Sequence, residues 1–191
     1  MSRAFTTHTG TAARLQGDNI DTDQIIPSRE MKTVSKTGLG VGLFAAQRYT
    51  GERVPNPDFV LNQPGYEDTT ILLAGKNFGC GSSREHAVWA LLDYGIRAVV
   101  AESFGEIFYN NCVRNGVLPV QLSRAVIDGL GREVSIDLPA QTVDGHRFEI
   151  ADGDKRMLVE GLDAVDLTLA HEADIEAWEA ADRARRLWAY A

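Results

Sequence analysis

Cysteine is scarce in this chain of 191 residues: Cys80 and Cys112 are the only two, and they form no C-x-x-C pair. Two such thiols cannot build a disulfide framework, and they cannot supply the set that a cysteine-ligated iron–sulfur cluster needs. Both are read as small buried residues, since neither has a cationic sequence neighbour to favour a thiolate. Long apolar runs are missing as well. None approaches the ~18 residues needed to span a bilayer, and the opening "MSRAFTTHTGTAARLQG" has no continuous apolar core of a secretory signal. A basic excess is also absent, with 19 Lys and Arg against 27 Asp and Glu, a net charge of −8. That balance argues against a nucleic-acid or anionic-membrane partner, which would be held by concentrated positive charge. His8, His146 and His171 fall at no metal-ligand spacing, and there is no internal repeat or low-complexity tract. These absences predict a cytoplasmic, soluble protein, one domain over residues 1–191, that can bind an anion only through a local site.

What is present is an alternation of strand and helix signals. "TTILLAG" (69–75) and "IRAVVAE" (96–102) have the aliphatic and β-branched content of buried strands, and "VLPVQL" (117–122) reads as a third. Between the first two, "EHAVWALLDYG" has apolar residues at broad helical spacing and a stop at Gly95. Between the second and third, "SFGEIFYNNCVRNG" reads as a helix with Ser103 as N-cap, an Asn115-Gly116 end, and Ile107, Phe108 and Val113 as its core stripe. Strand–helix–strand–helix–strand implies parallel pairing with right-handed crossovers. The segment "DNIDTDQIIPSREMKTVSKTGLG" is expected to end a short strand at Pro27 and enter a glycine-punctuated loop. Farther on, "REVSIDLPAQTVDGHRFEIA" predicts a β-hairpin turning at Asp144-Gly145, and "AHEADIEAWEAADRARRLWAY" a C-terminal helix. The class is α/β with an appended antiparallel part.

The chemistry concentrates in "NFGCGSSREHAVWALLDYG" (77–95). Gly79 and Gly81 permit a tight turn, and a helix is expected from about Ser83, so free N–H groups and the positive end of the helix dipole converge beside Arg84. Such a place suits a small carboxylate or phosphate, which a guanidinium can hold with two bonds. The same letters also fit a capping box, in which Ser82 and Glu85 satisfy backbone N–H groups and nothing more. Locally, both accounts stand.

The run "FGCGSSREHA" resembles the signature of the small subunit of 3-isopropylmalate dehydratase, and its core "GSSREHA" is similar to the swivelling domain of aconitases. "DTDQIIP", "TGLGVGLF", "PNPDFVLN", "YGIRAVVAESFGEIFYNNCVRNGVLPV" and "GLDAVDLTL" resemble the same family in the same order, from about Asn19 to Trp178. The resemblance implies a swivelling β/β/α domain and half of a hydro-lyase, with a [4Fe–4S] cluster carried by a separate large subunit and none in this chain. It implies dehydration of 2-isopropylmalate and rehydration to 3-isopropylmalate, with citraconate/methylmalate or homoaconitate relatives as alternatives. A stand-alone anion-binding module is the non-enzymatic alternative.

Carried over by position, the resemblance makes Ser82 the base and gives Ser83 and Arg84 contacts to a substrate carboxylate. Asp23 in "DTDQI" matches an aspartate that orients another charged group, although an Asx turn would use the same residue. Lys36 stands where the family commonly has arginine, so its carboxylate contact would be a point charge without a bidentate fork. Arg29 and Lys32 could compensate. Glu85 and His86 are assigned to fixing the helix start, and the pocket for the substrate side chain is expected to be shared between the large subunit and the loop Val34 to Leu39.

Overall fold

The computed structural model describes residues 4–31 and 35–190. In chain order these form β1 (Thr7–Arg14), α1 (Thr22–Ile25), α2 (Ala45–Arg48), β2 (Tyr49–Thr50), β3 (Val54–Pro55), β4 (Thr69–Ala74), α3 (Glu85–Tyr94), β5 (Ala98–Ala101) and α4 (Glu106–Asn115). There follow β6 (Leu118–Gln121), α5 (Arg124–Gly129), β7 (Glu133–Asp137), β8 (Thr142–Val143), β9 (His146–Arg147), α6 (Asp152–Glu160), α7 (Ala164–Leu169) and α8 (Glu172–Arg185). Seven strands share one sheet in the order β6-β5-β4-β1-β7-β8-β9, while β2 and β3 form a small separate ribbon. β6, β5, β4 and β1 are mutually parallel; β7, β8 and β9 continue the sheet antiparallel.

The parallel half follows the expected pattern: the predicted strands are β4, β5 and β6, and α3 and α4 are the crossovers. Strand alternation sends Leu72, Ala74, Val99 and Ala101 to one core layer, where they join Ile25, Ile26 and Leu91. Ile71, Leu73, Ala98 and Val100 go to the opposite layer with Phe5, Ile127 and Leu158. Both faces of β5 are therefore dry, which is why its sequence is continuously apolar. α3 stops where expected, at Gly95 with φ +112°, whose N–H reaches the carbonyls of Leu91 and Leu92.

Several expectations are corrected. The segment before Pro27 is the short helix α1, because the Asp21 carboxylate accepts from the Gln24 N–H at 2.8 Å and starts a helical turn. β1 is a strand that polar residues hide: its outer half, Thr7 to Gly10, gains its place by antiparallel pairing to β7 rather than by apolar content. Gly105, not Ser103, precedes α4, since the Ser103 hydroxyl is used to accept the Asn77 N–H at 2.8 Å. Of the α4 stripe, Phe108 and Val113 are buried but Ile107 is 54% exposed, because one step along a helix turns the side chain about 100°. The Asp144-Gly145 turn is present, with positive φ at both residues, but its arms are only β8 and β9. β7 pairs with β8, so the unit is a three-stranded meander. Helices α6 and α7 carry no sequence expectation; α8 is the predicted C-terminal helix. Among the described residues no helix is long and apolar enough to cross a membrane.

The parallel topology places three loops side by side. The chain leaves the carboxyl ends of the neighbours β1, β4 and β5 at residues 15–21, 75–84 and 102–105, and ligands of open α/β sheets bind along such an edge. The middle loop is fixed by Gly79, φ +73°, which lies against Phe108 so closely that a Cβ there would sit 2.1 Å from the ring Cγ. Gly79→Ala is expected to destabilise the fold by about 2–4 kcal/mol, combining overpacking with a left-handed backbone. Chemical denaturation with an unchanged m-value checks this, and a wild-type midpoint would mean that Phe108 has room to move.

Candidate active site

The loop between β4 and α3 is held from both sides by backbone groups. From the β1 side, the Ile20 carbonyl accepts the Gly79 N–H at 2.7 Å, and the Thr22 N–H donates to the Cys80 carbonyl at 3.0 Å. The Thr22 hydroxyl, itself buried, donates to the Ser82 carbonyl at 3.1 Å. From the β5 side, the Phe78 N–H donates to the Ser103 carbonyl and the Gly105 N–H to the Phe78 carbonyl, each at 2.9 Å. This clamp engages the carbonyls of Phe78, Cys80 and Ser82. The N–H groups of Gly81, Ser82 and Ser83 have no backbone acceptor among the described residues, and both serines are exposed. They stand at the N-terminus of the ten-residue α3, where amides and dipole favour an anion.

The capping box does not form. Arg84 is the N-cap of α3 and makes no side-chain cap hydrogen bond. Glu85 instead accepts a hydrogen bond at 2.7 Å from the Asn115 carboxamide at the end of α4. His86 packs its ring against Trp89, 4.7 Å between centroids. Glu85 thus ties α3 to α4, while His86 packs within its own helix, and neither contact closes the first turn.

Asp23 comes to the same place from α1. Its Oδ1 accepts from Arg84 Nη1 and, at 3.1 Å, from the Ser28 hydroxyl. Asp21, two residues earlier, makes the Asx-type cap, so Asp23 is left to hold the guanidinium. Ser82, Ser83, Arg84 and Asp23 are therefore neighbours, although about sixty residues separate Asp23 from the rest. Lys36 is not in direct contact with them: its ammonium lies 3.5 Å from Asn115 Oδ1 and 5.1 Å from the centre of the Trp89 ring. Arg29 lies along Glu30 at 3.5 Å, and Lys32 and Val34 fall outside the described residues. Ser28 and Asn115 are site neighbours that the sequence did not single out. No local pattern marks either: Ser28 is a loop serine, and Asn115 reads as the end of a helix.

The cysteines do not fit an iron–sulfur cluster. Cys112 is completely buried, and burial pushes its thiol well above its ordinary value; Cys80, half-buried rather than buried, is raised by burial and by the nearby Asp21 charge. Among the described residues no group of three His, Cys, Asp or Glu could hold a metal ion.

The Asp23 carboxyl is held below the ordinary aspartate value, first by the Arg84 hydrogen bond and then by that from Ser28. A depressed pKa means that the pair is intact above the unfolded value and is lost as pH falls through the folded one. Carboxyl NMR titration should show Asp23 titrating below free aspartate, and Arg84→Gln should move it upward. An Asp23 pKa indifferent to that substitution would mean that the guanidinium is directed elsewhere.

Residues 2–125 match the aconitase C-terminal domain. The chain is 53% identical to a 3-isopropylmalate dehydratase small subunit of Cupriavidus necator, covering 96% of each chain. It is 50% identical to one of Rhodopseudomonas palustris (strain BisA53), covering 97% of this chain and 98% of that protein. A solved structure of a 3-isopropylmalate dehydratase from Methanocaldococcus jannaschii superposes with a TM-score of 0.68 at 29% identity, over 91% of this chain and 99% of that one. With relatives this close matched nearly end to end, the chain belongs to the family of 3-isopropylmalate dehydratase small subunits, built on the aconitase C-terminal domain.

Proposed function

We propose that residues 1–191 act as one unit, the small subunit of a cytoplasmic 3-isopropylmalate dehydratase. This hydro-lyase of leucine biosynthesis interconverts 2-isopropylmalate and 3-isopropylmalate through isopropylmaleate. The observation that carries the reading is the exposed Ser82 hydroxyl on a turn of unpaired amides, next to an arginine that Asp23 already holds in place. A stand-alone anion-binding module is set aside, because the near full-length relatives are enzyme subunits.

In this reading Arg84 binds one substrate carboxylate through the N–H groups that Asp23 does not use, with Ser83 as a second contact. Asp23 restricts the guanidinium to one orientation before substrate arrives, which lowers the entropy lost on binding. Lys36 reaches the other carboxylate from the loop between α1 and α2, where its ammonium lies over Trp89 of α3. Ser82 is the base: its oxygen takes the proton from the carbon next to the carbinol, the C–H electrons become the double bond, and hydroxide leaves. Rehydration returns the proton from the same oxygen. An alkoxide is costly in water, and the free amides at the start of α3 stabilise it by fixed dipoles that need no reorganisation. The [4Fe–4S] cluster and its Lewis-acid chemistry are assigned to the large subunit, a division supported by relatives named as small subunits.

Two outcomes follow from these roles. Purified alone, the chain should carry no iron–sulfur cluster and turn over no isopropylmalate, and both should appear on assembly with the large subunit; stoichiometric iron in the isolated chain would overturn the division of labour. In the assembled enzyme, Ser82→Ala should lower kcat at least about 100-fold, the lower range for a general base, with KM changed much less. Because the hydroxyl caps nothing, thermal stability should stay within about 0.5 kcal/mol of wild type, as for a surface substitution. Near-normal kcat with full cluster content would remove Ser82 from the chemistry.

A further inference from the structure

Asn115 occupies an unusual position for a residue at the end of a helix. Its Nδ2 donates to Glu85 Oε1 at 2.7 Å and to the Asn111 carbonyl at 2.9 Å. Its Oδ1 accepts from Trp89 Nε1 at 3.1 Å and from Lys36 Nζ at 3.5 Å. All four hydrogen-bonding sites of the carboxamide are used, and the orientation is fixed: turning it over would face nitrogen to donors and oxygen to acceptors. Glu85 is the first residue of α3 and follows Arg84 directly. One side chain therefore connects the residue beside the anion-binding arginine to the lysine on a separate loop.

The lysine needs such a connection. Its ammonium is a point charge on a flexible four-carbon stem with several rotatable bonds, and nothing in its own geometry aims it. Residues 35–38 around it are exposed. The described contacts that aim the ammonium are the Asn115 oxygen and the face of Trp89, which attracts a cation through the ring quadrupole. The bond at 3.5 Å is long, and a charge held this weakly is directed toward the start of α3 without being locked away from a substrate carboxylate.

We propose that Asn115, with Trp89, is a positioning device for the dehydratase reaction: it aims the Lys36 ammonium at the substrate from the same frame that fixes the start of α3. It acts through Lys36 and touches no substrate. The proposal rests on the reading of Lys36 as a carboxylate contact.

The test is a double-mutant cycle on the enzyme assembled with its large subunit, using 3-isopropylmalate as substrate. Lys36→Ala should raise KM about tenfold or more, the effect of losing a charged hydrogen bond. Asn115→Ala should raise KM about three- to tenfold with kcat within about twofold of wild type, and this rise should vanish in the Lys36→Ala background, as expected for coupled residues. Trp89→Phe keeps the ring but loses the Nε1 donor, so it should give a smaller KM rise that also vanishes without Lys36; it carries the cycle if Asn115→Ala fails to assemble. Equal fold-changes in both backgrounds would overturn the proposal and leave Asn115 as a tie between helices. Unchanged KM in Lys36→Ala alone would overturn the reading of Lys36, and the proposal with it.

Discussion

The site depends on the backbone clamp that pins the loop after β4 between the chain leaving β1 and the chain leaving β5. The Gly79 N–H bonds to Ile20 on one side, and Phe78 exchanges bonds with Ser103 and Gly105 on the other. With Phe78, Gly79 and the Cys80 carbonyl paired on the inner side, the N–H groups of Gly81 to Ser83 are left without a backbone acceptor among the described residues. The clamp exists only because β1, β4 and β5 are adjacent and parallel, so sheet order and chemistry are one constraint. Gly79 is the point of closest approach, where the ring of Phe108 leaves no space for a side chain.

Charge is arranged against the average of the molecule. A chain of net charge −8 offers an anion no general attraction; in the proposed site it is supplied by Arg84, the helix terminus and, from a separate loop, Lys36. Salt screens such contacts over roughly 8–10 Å, so they act on a substrate already at the turn. The Asp23 carboxylate spends part of the positive charge of Arg84, and in exchange the guanidinium has a defined plane. That trade favours orientation over attraction, consistent with a site completed by a second subunit.

The shared edge also explains why the site is open. Ser82 and Ser83 are exposed and Asp23 is more than half exposed at its side chain, whereas the proposed serine alkoxide would require water to be kept out. A partner surface laid over the turn would supply that exclusion and strengthen each of these interactions by lowering the local dielectric. This agrees with relatives that are named as small subunits.

By itself the sequence determined β4, β5 and β6 of the parallel half, their crossover helices, the stop at Gly95 and the glycine turn before α3. Those features are local: continuous apolar runs, helical spacing and residues tolerant of positive φ declare themselves within ten residues. The resemblance of "FGCGSSREHA" and its companions determined the family and the residues of interest. Only the tertiary structure decided that Ser82 and Glu85 form no capping box, because the partner of Glu85 is Asn115, thirty residues away. It alone revealed β1, whose polar outer half becomes a strand by pairing with β7, and α1, where a capping carboxylate outweighed a β-like reading of "DQII". It also brought Asp23 onto Arg84 and Lys36 onto Trp89 and Asn115. Such contacts arise between side chains that become neighbours only when strands far apart in sequence pair, and no pattern within one segment can encode them.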